Sequence, residues 1–312
     1  MLGKSMKIAV VGIGGVGGYY GGKLAHYWTS RANVKVIFVA RGQHLEQIQK
    51  HGLKLMTKEG DFTVTPSIAT ANPEDMGPLD LVIFCVKSYD LETSRGIFRN
   101  NFNERTVFLP LLNGVDNAEK LRSFFREGRV LNGCVYISAH IVAPGVVEQT
   151  GGSCQLFFGS EDGNAKDYLE IEHILVDAGI KAELKPNIEE VIWEKYIFIS
   201  PLASVTSLLG EPFGAVMEKK ESRDVTEGLV RELERIARAK GVNLAKNIVD
   251  ITLDKVRAFP YETKSSMQVD FEKGKKTEIE AFTGYAVKAG KELGVDIPLH
   301  QMVYQKLKKR CP

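Results

Sequence analysis

The stretch KIAVVGIGGVGGYYGG, residues 7–22, decides the fold. Its first part, KIAVVG, is a short apolar run that stops at glycine, the pattern of a buried strand. The residues after it, YYGGKLAHYW, have helical spacing. Between the two lies Gly12-x-Gly14-x-x-Gly17. Glycines at this spacing permit a tight turn and let a pyrophosphate approach the backbone. The helix start then offers free N–H groups and a partial positive charge. A glycine triplet alone is common. The strand before it and the helix after it favour a dinucleotide loop over a structural turn that binds nothing. Gly12, Gly14, Gly15 and Gly17 are therefore candidate cofactor residues.

The same alternation continues outward. VKVIFVA (34–40), DLVIFCVK (80–87) and TVFLPLLN (106–113) are apolar throughout, as suits parallel strands covered on both faces. Helix candidates lie at 43–50, 90–99 and 116–126. The expected fold is α/β, with an N-terminal Rossmann-type doubly wound sheet. Between about 130 and 185, short strand-like pieces separated by Pro-Gly and Gly-Gly predict antiparallel hairpins at one edge of that sheet. A helix over 164–178 and a strand over 181–185 close the domain, giving 1–186.

From 187 the pattern turns helical, so 187–312 is expected to be an all-α domain. Asn187 is placed as an N-cap with Glu190 in capping-box position. A helix from near Ser222 to Gly241 carries Val225, Leu229, Leu233, Ile236 and Ala237 on one face. Another spans 244–258. Thr277 is expected to cap a fourth, with Glu280 completing a capping box and Gly294 past its end. Pro298 opens a last short helix.

Bulk properties exclude several classes. The chain has 312 residues and a net charge of +2, so no field toward nucleic acid or membrane is expected. No run of about 18 apolar residues is present. The N-terminal MLGKSM does not read as a signal peptide. Cys85, Cys134, Cys154 and Cys311 are scattered without CxxC spacing, which argues against a metal site and for a reducing cytoplasm.

Three polar residues follow strands, where ligands of open α/β sheets bind. The second strand ends FVARGQH, with Arg41 where an NAD site carries an acid. A guanidinium there suits a 2′-phosphate, so NADP(H) is expected. Lys87 and Asn113 close the two later strands and are candidates for cofactor or substrate contacts. For each, an ordinary exposed lysine or an Asn-Gly turn is the plain alternative.

Lys195 stands in EVIWEKYIFISPLASVTSLLG (190–210), flanked by Trp193, Tyr196, Ile197, Phe198 and Ile199. Its charge needs either a route to water or a partner. SSMQVDFEKGKKTEIEAFTG (265–284) supplies Ser266, Asp270 and Glu278. Glu278 is expected at a first helical position, where the helix dipole favours a carboxylate.

GIGGVGGYYGGKLA, VKSYD, LLNGVDN, IWEKY, SSMQVDF and KKTEIEAFTG, in this order from end to end, resemble the ketopantoate reductase family. That resemblance implies NADPH-dependent reduction of a 2-keto acid, with Lys195 as general acid and Glu278 beside it. It implies that Asn113 and Lys87 line the cofactor and substrate site, with Ser266 holding the substrate carboxylate. The chain departs from the family pattern at Ile199, Ala203 and Thr263, where the family often has Asn. Two other readings stay open: a related reductase of another branched 2-keto or 3-hydroxy acid, and a non-catalytic NADP(H) sensor. The helical half could bury a homodimer face or only its own core.

Overall fold

The computed structural model describes residues 5–31, 33–96, 98 and 101–310. The expectations that touch Met1–Lys4, Ile97, Arg99 and Cys311 lie outside them. The described chain divides into two compact units, one of residues up to Leu112 plus Asp116–Ile188, the other of Asn113–Val115 plus residues from Glu189 on.

The first unit begins β1 (Met6–Val11), α1 (Gly15–Trp28), β2 (Val34–Val39), α2 (Gly42–His51). A hairpin of β3 (Leu53–Thr57) and β4 (Gly60–Val64) follows, then β5 (Ile68–Thr70) and β6 (Leu81–Phe84). After α3 (Leu91–Arg95), β7 (Val107–Pro110), α4 (Asn117–Phe124) and β8 (Arg129–Val130) complete the first sheet. Its order is β5-β2-β1-β6-β7-β8 and every pairing is parallel. In order of sequence this is 3-2-1-4-5-6, the dinucleotide-binding winding, which reverses between β1 and β6.

The strands are apolar throughout because both faces are covered. Ile8 and Val10 join one core with α1, while Ala9 and Val11 join another with Leu91, Phe98 and Phe125. Of the expected helix over 90–99, the described residues show α3 at Leu91–Arg95, entered through a 3-10 turn, Ser88–Asp90.

The region after 130 departs from expectation. β9 (Asn132–Ala143) and β10 (Val146–Gly159) do form an antiparallel hairpin. They do not extend the first sheet. With β11 (Lys181–Leu184), which follows α5 (Leu169–Asp177), and the β3–β4 hairpin, they build a second sheet ordered β11-β10-β3-β4. Helix α1 lies between the sheets. A Cβ on Gly21 would meet Phe38 at 3.1 Å, and one on Gly18 would meet Val147 at 2.6 Å. The glycine content of α1 is thus a packing requirement on two sides.

The second unit holds α6 (Ile188–Leu209), α7 (Phe213–Glu218), α8 (Lys220–Ala239) and α9 (Ile248–Arg257). It ends with α10 (Ser266–Glu272), α11 (Tyr285–Leu293) and α12 (Pro298–Arg310). Helix α9 starts later than the expected 244, and Pro298 opens α12 as expected, though at 13 residues that helix is not short. Helix α6 is apolar on most sides, as a central helix must be: Trp193, Tyr196, Ile197, Leu202 and Val205 are all buried in one core with α8 and α12 residues such as Leu229, Leu233 and Val303. Among the described residues, no helix is long and apolar enough to cross a membrane.

Candidate active site

In the first unit the glycine loop runs from the end of β1 into α1. Gly12 has φ +89°, which favours glycine, and its Cβ would strike Val86 at 2.8 Å. A Cβ on Gly17 would meet the carbonyl oxygen of Gly12 at 2.1 Å, and one on Gly15 the carbonyl oxygen of Ala139 at 1.9 Å. The protein's own packing accounts for these three. Gly14 is different: it precedes α1 at φ −86°, and a Cβ there would meet nothing within 4 Å. No acidic residue stands in the first turn of α1 and no side chain caps it. The orphan N–H groups of that turn therefore start beside open space at Gly14, with no acid against them, which fits an anionic pyrophosphate.

The flanking strands supply the charges. Arg41 immediately precedes α2, after β2, with its side chain 81% exposed. Its Nη2 lies 3.1 Å from Oδ2 of Asp90, an acid that sequence reasoning did not single out. Asp90 ends the 3-10 turn after β6, and its N–H donates to the carbonyl of Lys87 at 2.8 Å. Since β2 and β6 both neighbour β1, the Arg41–Asp90 pair links the two loops that flank the glycine loop. Nothing in the local sequence around Asp90 announces this pairing. Lys87 is half-buried, three residues past the end of β6.

In the second unit, Lys195, Asn113 and Glu278 come together. Lys195 is half-buried in α6 and donates from Nζ to Oδ1 of Asn113 at 3.2 Å. The Asn113 amide donates from Nδ2 to Oε2 of Glu278 at 3.5 Å. One amide therefore accepts from the amine and donates to the carboxylate, the arrangement its dipole favours. Glu278 is 4% exposed, so its charge depends on such partners.

Glu278 is not in the first turn of a helix, contrary to expectation. The chain enters α11 through a π turn, Glu280–Gly284, in which the Gly284 N–H reaches the carbonyl of Ile279. Glu278 lies ahead of it and its own carbonyl accepts from the N–H groups of Ala281 and Phe282. Nor does Glu280 form a capping box. Its carboxylate accepts from the Tyr304 hydroxyl and Lys308 Nζ, each at 3.0 Å. The π turn is held by α6: the Tyr196 hydroxyl donates to the carbonyl of Phe282, and Ser204 and Thr283 share a hydrogen bond at 2.9 Å. The residue next to Lys195 thus fixes the turn that follows Glu278.

Ser266 is the exposed first residue of α10, preceded by the buried cap Ser265. Asp270 is half-buried one turn later. Ile199, one turn past Lys195, is partly buried hydrocarbon against the helical core, and Ala203 is 1% exposed. Thr263 contributes its backbone carbonyl, which accepts from the Phe213 N–H at 2.8 Å. Cys85, Cys134 and Cys154 are not joined in disulfides among the described residues. Among the described residues no group of three or more His, Cys, Asp or Glu could hold a metal ion.

The comparisons agree along the whole chain. Residues 8–163 match the family described as ketopantoate reductase PanE/ApbA, and residues 187–310 match its C-terminal part. The chain is 30% identical to the uncharacterized oxidoreductase YkpB of Bacillus subtilis, with 97% of this chain and 98% of that protein covered. It is 28% identical to the 2-dehydropantoate 2-reductase of Halobacterium salinarum, covering 94% and 95%. The crystal structure of 2-dehydropantoate 2-reductase from Porphyromonas gingivalis superposes with a TM-score of 0.84 at 33% identity, covering 97% and 99%. Such a reductase on a Rossmann-type sheet implies a nicotinamide cofactor, and the glycine loop has the shape to hold one. The chain belongs to the ketopantoate reductase family and is an oxidoreductase of that kind.

Proposed function

We propose that this protein reduces 2-dehydropantoate (ketopantoate) to pantoate with NADPH, the reductive step of pantothenate biosynthesis in a cytoplasmic setting. The observation that carries the reading is the Lys195–Asn113–Glu278 chain, an amine on an apolar helix steadied through an amide by a buried carboxylate. NADPH, when bound, supplies the hydride. Gly12, Gly14, Gly15 and Gly17 would hold its pyrophosphate, Arg41 its 2′-phosphate, with Lys87 and Asn113 nearer the reacting end.

Negative charge builds on the ketone oxygen as the carbon is reduced. Lys195 donates a hydrogen bond to that oxygen and then passes it a proton as general acid, where a donor matters most. Glu278 keeps the ammonium oriented through Asn113 and is available to the substrate hydroxyl. Ser266 anchors the substrate carboxylate. A homodimer is compatible with this reading.

A second reading is favoured by Ile199. It stands about one turn from Lys195 on the same helix face. A substrate hydroxyl laid against this hydrocarbon would lose water without gaining a partner, at about 1–3 kcal/mol. That points to a related reductase whose branched 2-keto acid carries only hydrocarbon there. The test is NADPH oxidation with ketopantoate beside 2-ketoisovalerate and pyruvate. Fastest turnover of ketopantoate is expected. A marked preference for 2-ketoisovalerate would replace the first reading with the second. NADPH binding without turnover of any of the three would replace both with a sensor.

A further inference from the structure

Helix α10 has seven residues, too few to hold its own position, so its contacts must locate it. Its cap, Ser265, is 3% exposed, and Ser265 Oγ accepts from the Gln268 N–H at 3.1 Å. The same Oγ lies 2.9 Å from Oγ1 of Thr206, which is fully buried. Thr206 Oγ1 donates to the Leu202 carbonyl at 2.7 Å, which uses its proton. The proton between the two hydroxyls is therefore that of Ser265. The result is a directed chain from the Gln268 N–H to the Ser265 hydroxyl, the Thr206 hydroxyl and the α6 carbonyl of Leu202.

Thr206 follows Lys195 by eleven residues, about three helical turns, and so stands on the same face of α6. Ser266 lies between the buried Ser265 and the buried Met267, and is itself exposed. Its presentation is set by what fixes its two neighbours. We infer that Thr206 is a positioning residue: through Ser265 it locks the start of α10 to the helix that carries Lys195, so that Ser266 and the amine keep a fixed spacing for one substrate. This rests on the proposed role of Ser266 at the substrate carboxylate.

The test uses the full chain and follows the keto acid that turns over best. Thr206→Val keeps the shape and removes the hydroxyl. Ser265→Gly keeps a tolerated cap residue and removes the link from the other side. Each is expected to raise KM for the keto acid about tenfold, the worth of one hydrogen bond, while the NADPH Kd stays unchanged. Thr206→Ser is expected to restore KM. A folded Thr206→Val or Ser265→Gly protein with KM within about twofold of the parent, while Ser266→Ala raises it, overturns the coupling alone. Ser266→Ala with unchanged KM overturns the role of Ser266 and the coupling with it. A lowered melting temperature with unchanged KM marks Thr206 as structural and also overturns the inference.

Discussion

Lys195 and Asn113 are joined by a hydrogen bond of 3.2 Å from amine to amide oxygen, between positions 82 apart in sequence. The bond orients a charged donor that the apolar flanks of α6 could not orient. If Lys195 acts on the ketone oxygen, Lys195→Ala should lower kcat about 10²–10³-fold and leave the NADPH Kd unchanged. Asn113→Ala should lower it by roughly 10-fold or more. The double variant should be no worse than Lys195→Ala alone, since the two act through one contact. Steady-state kinetics with a keto acid, beside a fluorescence titration of NADPH, measures all three.

Gly14 and Gly15 are adjacent and should respond in opposite ways. Gly14→Ala adds a methyl to open space, so the melting temperature should hold while NADPH affinity falls at least about 10-fold, because that space is where the pyrophosphate belongs. Gly15→Ala drives a methyl into the Ala139 carbonyl and should destabilise the fold by about 1–3 kcal/mol. Calorimetry and NADPH titration on the two variants separate ligand space from packing space.

Arg41 decides which dinucleotide is used if it meets a 2′-phosphate. Its bond to Asp90 is an exposed ion pair contributing about 0–1 kcal/mol, so a phosphate can take its place cheaply. Arg41→Ala should erase the preference for NADPH over NADH in kcat/KM and leave the melting temperature within a degree or two. An unchanged preference would assign the phosphate to another group.

His300 and Glu232 should make the protein acid-sensitive. Both are buried, and the Glu232 carboxylate accepts from the His300 ring and from the N–H groups of Leu299 and His300. Burial raises the Glu232 carboxyl, but those hydrogen bonds outweigh it and hold it below its ordinary 4.5. Burial holds His300 below its ordinary 6.5 despite the carboxylate, and its Nε2 has no hydrogen-bond partner among the described residues. Both folded-state values are depressed, so both contributions are present at neutral pH. The histidine part fades as pH falls below about 6.5, and the glutamate part as it falls below about 4.5. Melting temperature should decline from pH 7 toward 4, and His300→Gln should flatten the upper part of that decline.

Four strands of the first sheet, β1, β2, β6 and β7, were legible because burial on both faces demands uninterrupted apolar runs at 8–11, 36–39, 81–84 and 107–109, whereas the three-residue β5 and two-residue β8 at its edges are too short to show one. Of the second sheet, β11 was expected, and so was the β9–β10 hairpin, but as an edge of the first sheet, and the rest was not read. The β3–β4 hairpin is short and half-exposed, and its parallel pairing with β10 joins Leu55 to Val147, a relationship that no local pattern records. The glycine loop could be read from its spacing together with the apolar run before it and the helical pattern after it. The π turn ahead of α11 could not, because KKTEIEAF has the letters of a capping box, and the hydroxyls of Tyr196 and Ser204 on another helix take hold of the turn instead.

Asn113–Val115 belong with the helical unit although they sit in the middle of the other unit's sequence. Severing the gene at the fold change would leave the shorter product with its amine and carboxylate but without the amide that bridges them. A hybrid spliced there from two relatives would take the bridge from one parent and both abutments from the other, so crossovers at that seam should yield well-folded yet sluggish progeny unless the Asn113 loop travels with the helices.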